Sequence, residues 1–239
     1  MRLHDAKALT FDCYGTLIDW ERGILDALRP WIHRDGLILD DARLLEEFGK
    51  AESRIERDNP TVPYTDILGH VHHALARTFG LAEDIDEASR FAESVGDWPP
   101  FPDTIEALRD LQTRFKLVIV SNTDHASFKK TQRRLGIAFD AVVVAEDVGA
   151  YKPDHRMFLR AFEVISELGV DRGHVVHVAQ SLYHDHVPAK ELNLTSVWVD
   201  RYRGARGPGA TPSVIAEVHP DYTVTSLREL VELIPGSTV

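Results

Sequence analysis

The chain has 239 residues, 44% hydrophobic and 27% charged, with a formal net charge of −11 at pH 7. That is ample for a packed core, as one large domain or a domain with an insert, while the excess acid, offset by no basic stripe, argues against nucleic-acid and anionic-membrane partners. No run approaches the ~18 apolar residues of a membrane span.

The first segment, "MRLHDAKAL", lacks the apolar stretch of a signal peptide. The single cysteine, Cys13, permits no internal disulfide, which fits a reducing compartment. Both point to a cytoplasmic protein. The first predicted strand is "KALTF" (7–11), and it runs directly into Asp12. Residues 19–98 then show no strand pattern but four helical ones, at 20–34, 40–57, 65–79 and 84–94. Pro60 and Pro63 interrupt them, and "GDWPPFPD" (96–103) reads as a stiff return. Next come a helix at 103–114, a strand "KLVIVS" (116–121), a helix at 125–135 and a strand "AVVVA" (141–145). A helix at 155–168, a strand "HVVHVA" (174–179), a helix at 185–192 and a strand "TSVWVD" (195–200) follow. "YRGARGPGATPS" (202–213) reads as an exposed, mobile Gly/Pro loop, and "DYTVTSLREL" as a last short strand with a closing helix.

Nearly continuous apolar strands that alternate with helices predict an α/β fold, a Rossmann-like, doubly wound parallel sheet. The four helices after the first strand form an all-helical insert. In such sheets ligands bind beyond the carboxyl ends of the strands. Asp12, the Ser121-Asn122 pair, Lys152 and Asp185 all follow strands, so two carboxylates, a lysine, a hydroxyl and an amide gather at one edge.

Taken in order, "FDCYGTLID", "VIVSN", "YKPD" and "HVAQSLYHDH" resemble the four motifs of the haloacid dehalogenase superfamily. Within it, "FDCYGTLIDWE" and "SLYHDH" look most like the type II 2-haloacid dehalogenases, and still more like the related hydrolase that opens azetidine-2-carboxylate. The resemblance implies a core over 1–18 and 99–239 and a helical cap over 19–98. It makes Asp12 the nucleophile of an ester mechanism. Thr16 would hydrogen-bond Asp12 or the substrate, and Ser121 and Asn122 would orient the nucleophile and the substrate carboxylate. Lys152 would neutralise the crowded acids, and Asp185 would hold Lys152 and activate water. Cys13, Tyr14, Trp20, Asn122, Ser181 and Tyr183 are the candidate substrate contacts. Cys13 by itself reads as a buried structural thiol.

The superfamily's phosphatases carry an aspartate where Tyr14 stands. A phenol with a pKa near ~10 is a poor proton donor at neutral pH. A halide needs no proton to leave, and a protonated azetidine nitrogen departs with relief of ring strain. "SLYHDH" also supplies only one carboxylate, so no metal site and no cofactor are expected, with Mg²⁺ entering only under a phosphatase alternative. A non-catalytic binding protein is the other alternative. His70 and His73 have ligand-like helical spacing but no further ligand set. The cap arginine that grips halide in dehalogenases has no counterpart near Gly49, although Lys50 and Arg54 are close, and Gln180 and Leu182 also depart from the dehalogenase pattern. The expected partner is a small carboxylate substrate, and a homodimer follows from the resemblance alone. The acidic runs "LDDARLLEE" and "LAEDIDEAS" read as solvated helix faces.

Overall fold

Strand β1 (Ala8–Phe11) is buried at all four positions, which is why its sequence shows no polar alternation. A computed structural model describes residues 2–204, 209–212 and 218–234 of the chain. In it β2 (Lys116–Ser121) and β4 (Val175–Ala179) flank β1, both buried except for Lys116. With β3 (Ala141–Val144), β5 (Thr195–Val199) and β6 (Tyr222–Val224) they form one parallel sheet in the order β3-β2-β1-β4-β5-β6. The order reverses at β1, so a crevice opens above the carboxyl ends of β1, β2 and β4. Phe11 pairs with both Ile119 and Val178, which brings the residues after all three strands to one level.

The insert consists of α1 (Trp20–Arg34), α2 (Asp41–Asp58), α3 (Tyr64–Phe79) and α4 (Ile85–Glu93). Asp19, Asp40 and Asp84 cap α1, α2 and α4 by accepting backbone N–H bonds in the first turn, and Gly80 ends α3 with φ 69°. Trp31, Phe48, Phe91 and His72 fill the space between these helices, with ring contacts Trp31–His72 at 4.1 Å and Phe48–Phe91 at 6.1 Å. The two connections to the sheet run side by side. Asp19 N donates to Pro99 O at 2.8 Å, and Phe101 N to Leu17 O at 3.1 Å.

On the sheet side lie α5 (Thr104–Gln112), α6 (His125–Leu135), α7 (Ala145–Val148), α8 (His155–Glu167), α9 (Val187–Glu191) and α10 (Leu227–Leu233). The helix expected at 185–192 is in fact two pieces. A π-type turn, Leu182–His186, precedes α9 and places one extra residue at the sheet edge. The four-residue α7 was not anticipated.

A correction concerns 202–213. Residues 205–208 and 213 lie outside the described residues, but Ala210 is fully buried rather than exposed. Its N–H donates to Glu21 Oε1 at 2.8 Å, and a Cβ on Gly49 of α2 would fall 2.1 Å from its carbonyl oxygen. Glycine at 49 is what lets this segment lie against α2. Among the described residues no helix is long and apolar enough to cross a membrane.

Candidate active site

The carboxylate of Asp12, one residue past β1, is almost wholly buried, and each of its oxygens has a donor. Lys152 Nζ lies 2.8 Å from Oδ1, and Thr16 Oγ1 donates to Oδ2 at 2.7 Å. Thr16 in turn accepts from Gln180 N at 2.9 Å, which ties the β1 loop to the β4 loop. Gly15, with φ 92°, supplies the left-handed residue that turns the chain back so that Thr16 faces Asp12.

Lys152 is the charge centre. Its ammonium also donates to Asp185 Oδ1 at 2.7 Å and to Val120 O at 3.0 Å, and its side chain is 1% exposed. Asn122 holds the lysine's backbone, accepting from Lys152 N at 2.6 Å and donating to Lys152 O at 3.2 Å. Burial alone would lower the lysine's pKa, but Asp12 and Asp185 outweigh it and push it up to about 12. Burial would raise Asp185, yet Lys152 and His177 hold it well below the carboxylate range. Asp12 is raised by burial, against the pull of Lys152 and with Asp185 adding to the rise. One ammonium thus serves two carboxylates unequally. Asp185 is locked as an anion, and Asp12 is poorly solvated.

Behind Asp185 a relay runs into β4 and β1. His177 Nε2 lies 2.9 Å from Asp185 Oδ1, and His177 Nδ1 lies 2.8 Å from Thr10 Oγ1. Donation from Nε2 to Asp185 and acceptance at Nδ1 from Thr10 would satisfy both contacts. Arg201 buttresses the β1 loop, donating to Thr16 O at 2.8 and 3.1 Å and pairing with Asp103 at 2.7 Å.

Part of this set lines an open cleft with about 410 Å³ of empty space, counted with the solvent at its mouth. Asp12, Ser121, Asn122, Lys152 and Asp185 all reach it, with Tyr14, Trp20 and Ser181. Two expected contacts do not. Cys13 is fully buried on the far side of the β1 loop and is absent from the cleft wall, because adjacent residues at a strand end point to opposite faces. Tyr183 lines an adjoining cleft of about 640 Å³ that shares Glu56, Lys152 and His184 with the first. The Tyr14 hydroxyl is engaged with Thr131 Oγ1 at 2.9 Å, and burial raises its pKa, so only its ring faces the cleft.

Sequence reasoning missed Glu52, Glu56 and Tyr64 from the insert, and His184 and Thr211. Glu52 and Glu56 are 3% and 4% exposed and stand one helical turn apart on α2. Tyr64 OH donates to Glu52 Oε1 at 2.6 Å, and Asn122 Nδ2 to Glu56 Oε2 at 3.4 Å. The available signal was their place in the stripe Leu45, Phe48, Glu52, Glu56, whose other members are apolar core. Lys50 turns outward to Glu46 and Glu47, and Arg54 is exposed, so neither enters the cleft.

The Lys152 ammonium stands between the two carboxylates, and a phenol replaces the acid after Cys13. Among the described residues no three His, Cys, Asp or Glu side chains are grouped to hold a metal ion.

A sequence profile described as haloacid dehalogenase-like hydrolase matches residues 6–182. An (S)-2-haloacid dehalogenase of Pseudomonas sp. (strain YL) is 29% identical over 237 residues, covering 95% of this chain and 94% of that enzyme. A glyceraldehyde 3-phosphate phosphatase of Methanocaldococcus jannaschii is 30% identical over 140 residues, 56% of each chain. The crystal structure of an L-2-haloacid dehalogenase superposes with a TM-score of 0.76 at 25% identity, covering 96% of this chain and 100% of that one. With that profile matched over most of its length, the chain belongs to the haloacid dehalogenase-like hydrolases.

Proposed function

We propose that the chain is a metal-independent hydrolase that displaces a leaving group from the α-carbon of a small 2-substituted carboxylate. The observation that carries this reading is the buried Lys152 ammonium bonded to both Asp12 and Asp185. A lysine so placed supplies the positive charge that a metal would otherwise bring, and it leaves Asp12 an ionised, poorly hydrated nucleophile.

In the first step a carboxylate oxygen of Asp12 bonds to the α-carbon as the leaving group departs with its electron pair, giving an aspartyl ester. Thr16 and Lys152 hold the carboxylate in place for the attack. In the second step water adds to the ester carbonyl, and the ammonium offsets charge that develops on its oxygen. Asp185 Oδ2, buried and without a hydrogen-bond partner among the described residues, is an acceptor available to orient that water. The Tyr14 phenol, engaged with Thr131, donates no proton to the leaving group. Leaving groups that need no proton from Tyr14, a halide or an already protonated ring nitrogen, fit this arrangement. Residues 19–98 act as a cap that closes the cleft, with the junctions at 18/19 and 98/99 as its hinge, where the two connecting strands pair.

The test is turnover of 2-chloropropionate, azetidine-2-carboxylate and p-nitrophenyl phosphate, each with and without EDTA. EDTA-insensitive turnover of either carboxylate supports the reading. Phosphatase activity abolished by EDTA, with neither carboxylate turned over, establishes the magnesium-dependent alternative.

A further inference from the structure

Helix α6 breaks the acidity of a chain that carries 38 acidic against 27 basic side chains. Lys129, Lys130, Arg133 and Arg134 stand within its stretch "KKTQRR", and all four are exposed. Arg134 pairs with Asp97 at 3.1 Å, and among the described residues no ion pair engages the other three. The helix dipole alone would favour cations in the last turn, where Arg133 and Arg134 lie. Lys129 and Lys130 sit mid-helix, where the dipole offers nothing. Spacings of three and four residues put Lys130, Arg133 and Arg134 on one side of α6. There they line an open depression whose remaining wall is Gly96 and Asp97 of the 3-10 turn Ser94–Asp97.

The packing beneath this face is tight. A Cβ on Gly96 would fall 2.4 Å from Lys130 Cβ and 2.7 Å from its Cδ. The lysine stem therefore lies directly on the turn, and a side chain already laid down has less freedom to lose when it binds. Asp97, the acid in the wall, is 79% exposed, so its pair with Arg134 contributes little and a stronger anion can displace it. Two guanidinium groups beside an ammonium suit phosphoryl oxygens, which guanidinium meets with paired N–H donors. From Lys129 to Arg134 the helix rises about 7.5 Å. That is room for two or three linked phosphoryl groups, and too short for a long run of nucleic-acid phosphates.

We propose that Lys130, Arg133 and Arg134, with Gly96 beneath them, form a binding site for the di- or triphosphate group of a small soluble ligand. The turn 94–97 is the last element of the insert before the 98/99 junction, and α6 follows β2 of the sheet. A ligand seated between them ties insert to core, so its binding favours the arrangement in which the turn lies against α6. The site is independent of the displacement reading, since a chain with an inactive cleft would bind the same anion.

The test is calorimetric titration of the wild-type chain with sodium tripolyphosphate, in about 0.1 M NaCl with EDTA, and with inorganic phosphate as the single-group control. Saturable binding of tripolyphosphate is expected, at least about tenfold tighter than that of phosphate. Lys130→Glu/Arg133→Glu should weaken it at least about tenfold, and Asp97→Asn, which removes the competing acid, should tighten it about threefold. Gly96→Ala changes no charge but lifts Lys130, and should weaken binding about threefold. Lys130, Arg133 and Asp97 are exposed, so their variants decide the matter if Gly96→Ala fails to fold. At saturation, amide hydrogen exchange over residues 94–98 should slow at least about threefold. No saturable binding, equal affinity for phosphate and tripolyphosphate, or equal binding by the wild type and Lys130→Glu/Arg133→Glu would overturn the site. Unchanged exchange over 94–98 at saturation would overturn its tie to the junction.

Discussion

Replacing Lys152 with methionine keeps most of the side-chain volume and deletes only the charge. The ammonium is 2.8 Å from Asp12 and 2.7 Å from Asp185, and all three groups are almost fully buried. Removing one partner of a buried charge cluster costs about 3–5 kcal/mol, because the remaining charges are stranded. For a chain of this size about 1 kcal/mol moves the melting temperature by roughly 2–4 °C, so a fall of about 6–20 °C is expected at pH 7. The pH dependence carries a sign. In the wild type Asp185 lies below its ordinary value, so its contribution is present above that value and is lost only as pH falls through the lower, folded one. In Lys152→Met both carboxylates would lie above their ordinary values, and each would destabilise the fold increasingly as pH rises. Thermal melts from pH 4 to pH 8 should therefore show a small deficit at pH 4 that grows towards pH 8. A pH-independent deficit, or none at pH 7, would refute the claim that this ammonium neutralises the two acids.

Other variants probe single contacts. Thr16→Val removes the donor to Asp12 and the acceptor for Gln180 N, and hydrogen bonds to a charged group are worth about 1.5–3 kcal/mol, so kcat should fall about 10–100-fold. Tyr14→Phe should keep turnover within about threefold, since only the bond to Thr131 is lost, whereas loss of about 1 kcal/mol of stability should appear in urea melts. His177→Phe leaves Asp185 to Lys152 alone, and kcat should drop about tenfold with KM little changed. Because the lysine's pKa is pushed up to about 12, kcat/KM should show no fall between pH 8 and pH 10; a decline centred near the ordinary lysine value would contradict that.

What the sequence disclosed was what the chain keeps local. Asp12 directly follows β1, Ser121 ends β2 and Lys152 lies past β3 and α7, so the parallel-sheet rule places them at one edge. Asp185 was legible as a carboxylate at that edge, but the π-type turn that aims it was not, since one extra residue leaves no compositional mark. Glu52 and Glu56 were hidden because carboxylates on an amphipathic helix ordinarily face water, and only the approach of α2 to the sheet edge buries them. Ala210 was misjudged for a similar reason. Glycines and prolines around it signal a loop, but they say nothing of Gly49 across the gap, which makes room for it. The contact of Arg201 with Thr16 O spans 185 residues and has no local signature at all.

The most direct measurement follows a single turnover, with enzyme in excess, in ¹⁸O-labelled water, and then weighs the peptide that contains Asp12. With 2-chloropropionate or azetidine-2-carboxylate as substrate, the account predicts that one ¹⁸O enters the Asp12 carboxylate while the first product molecule carries unlabelled oxygen in its 2-hydroxyl. Label in the product hydroxyl with none on Asp12 would mean that water attacks the α-carbon directly, and would contradict the ester mechanism.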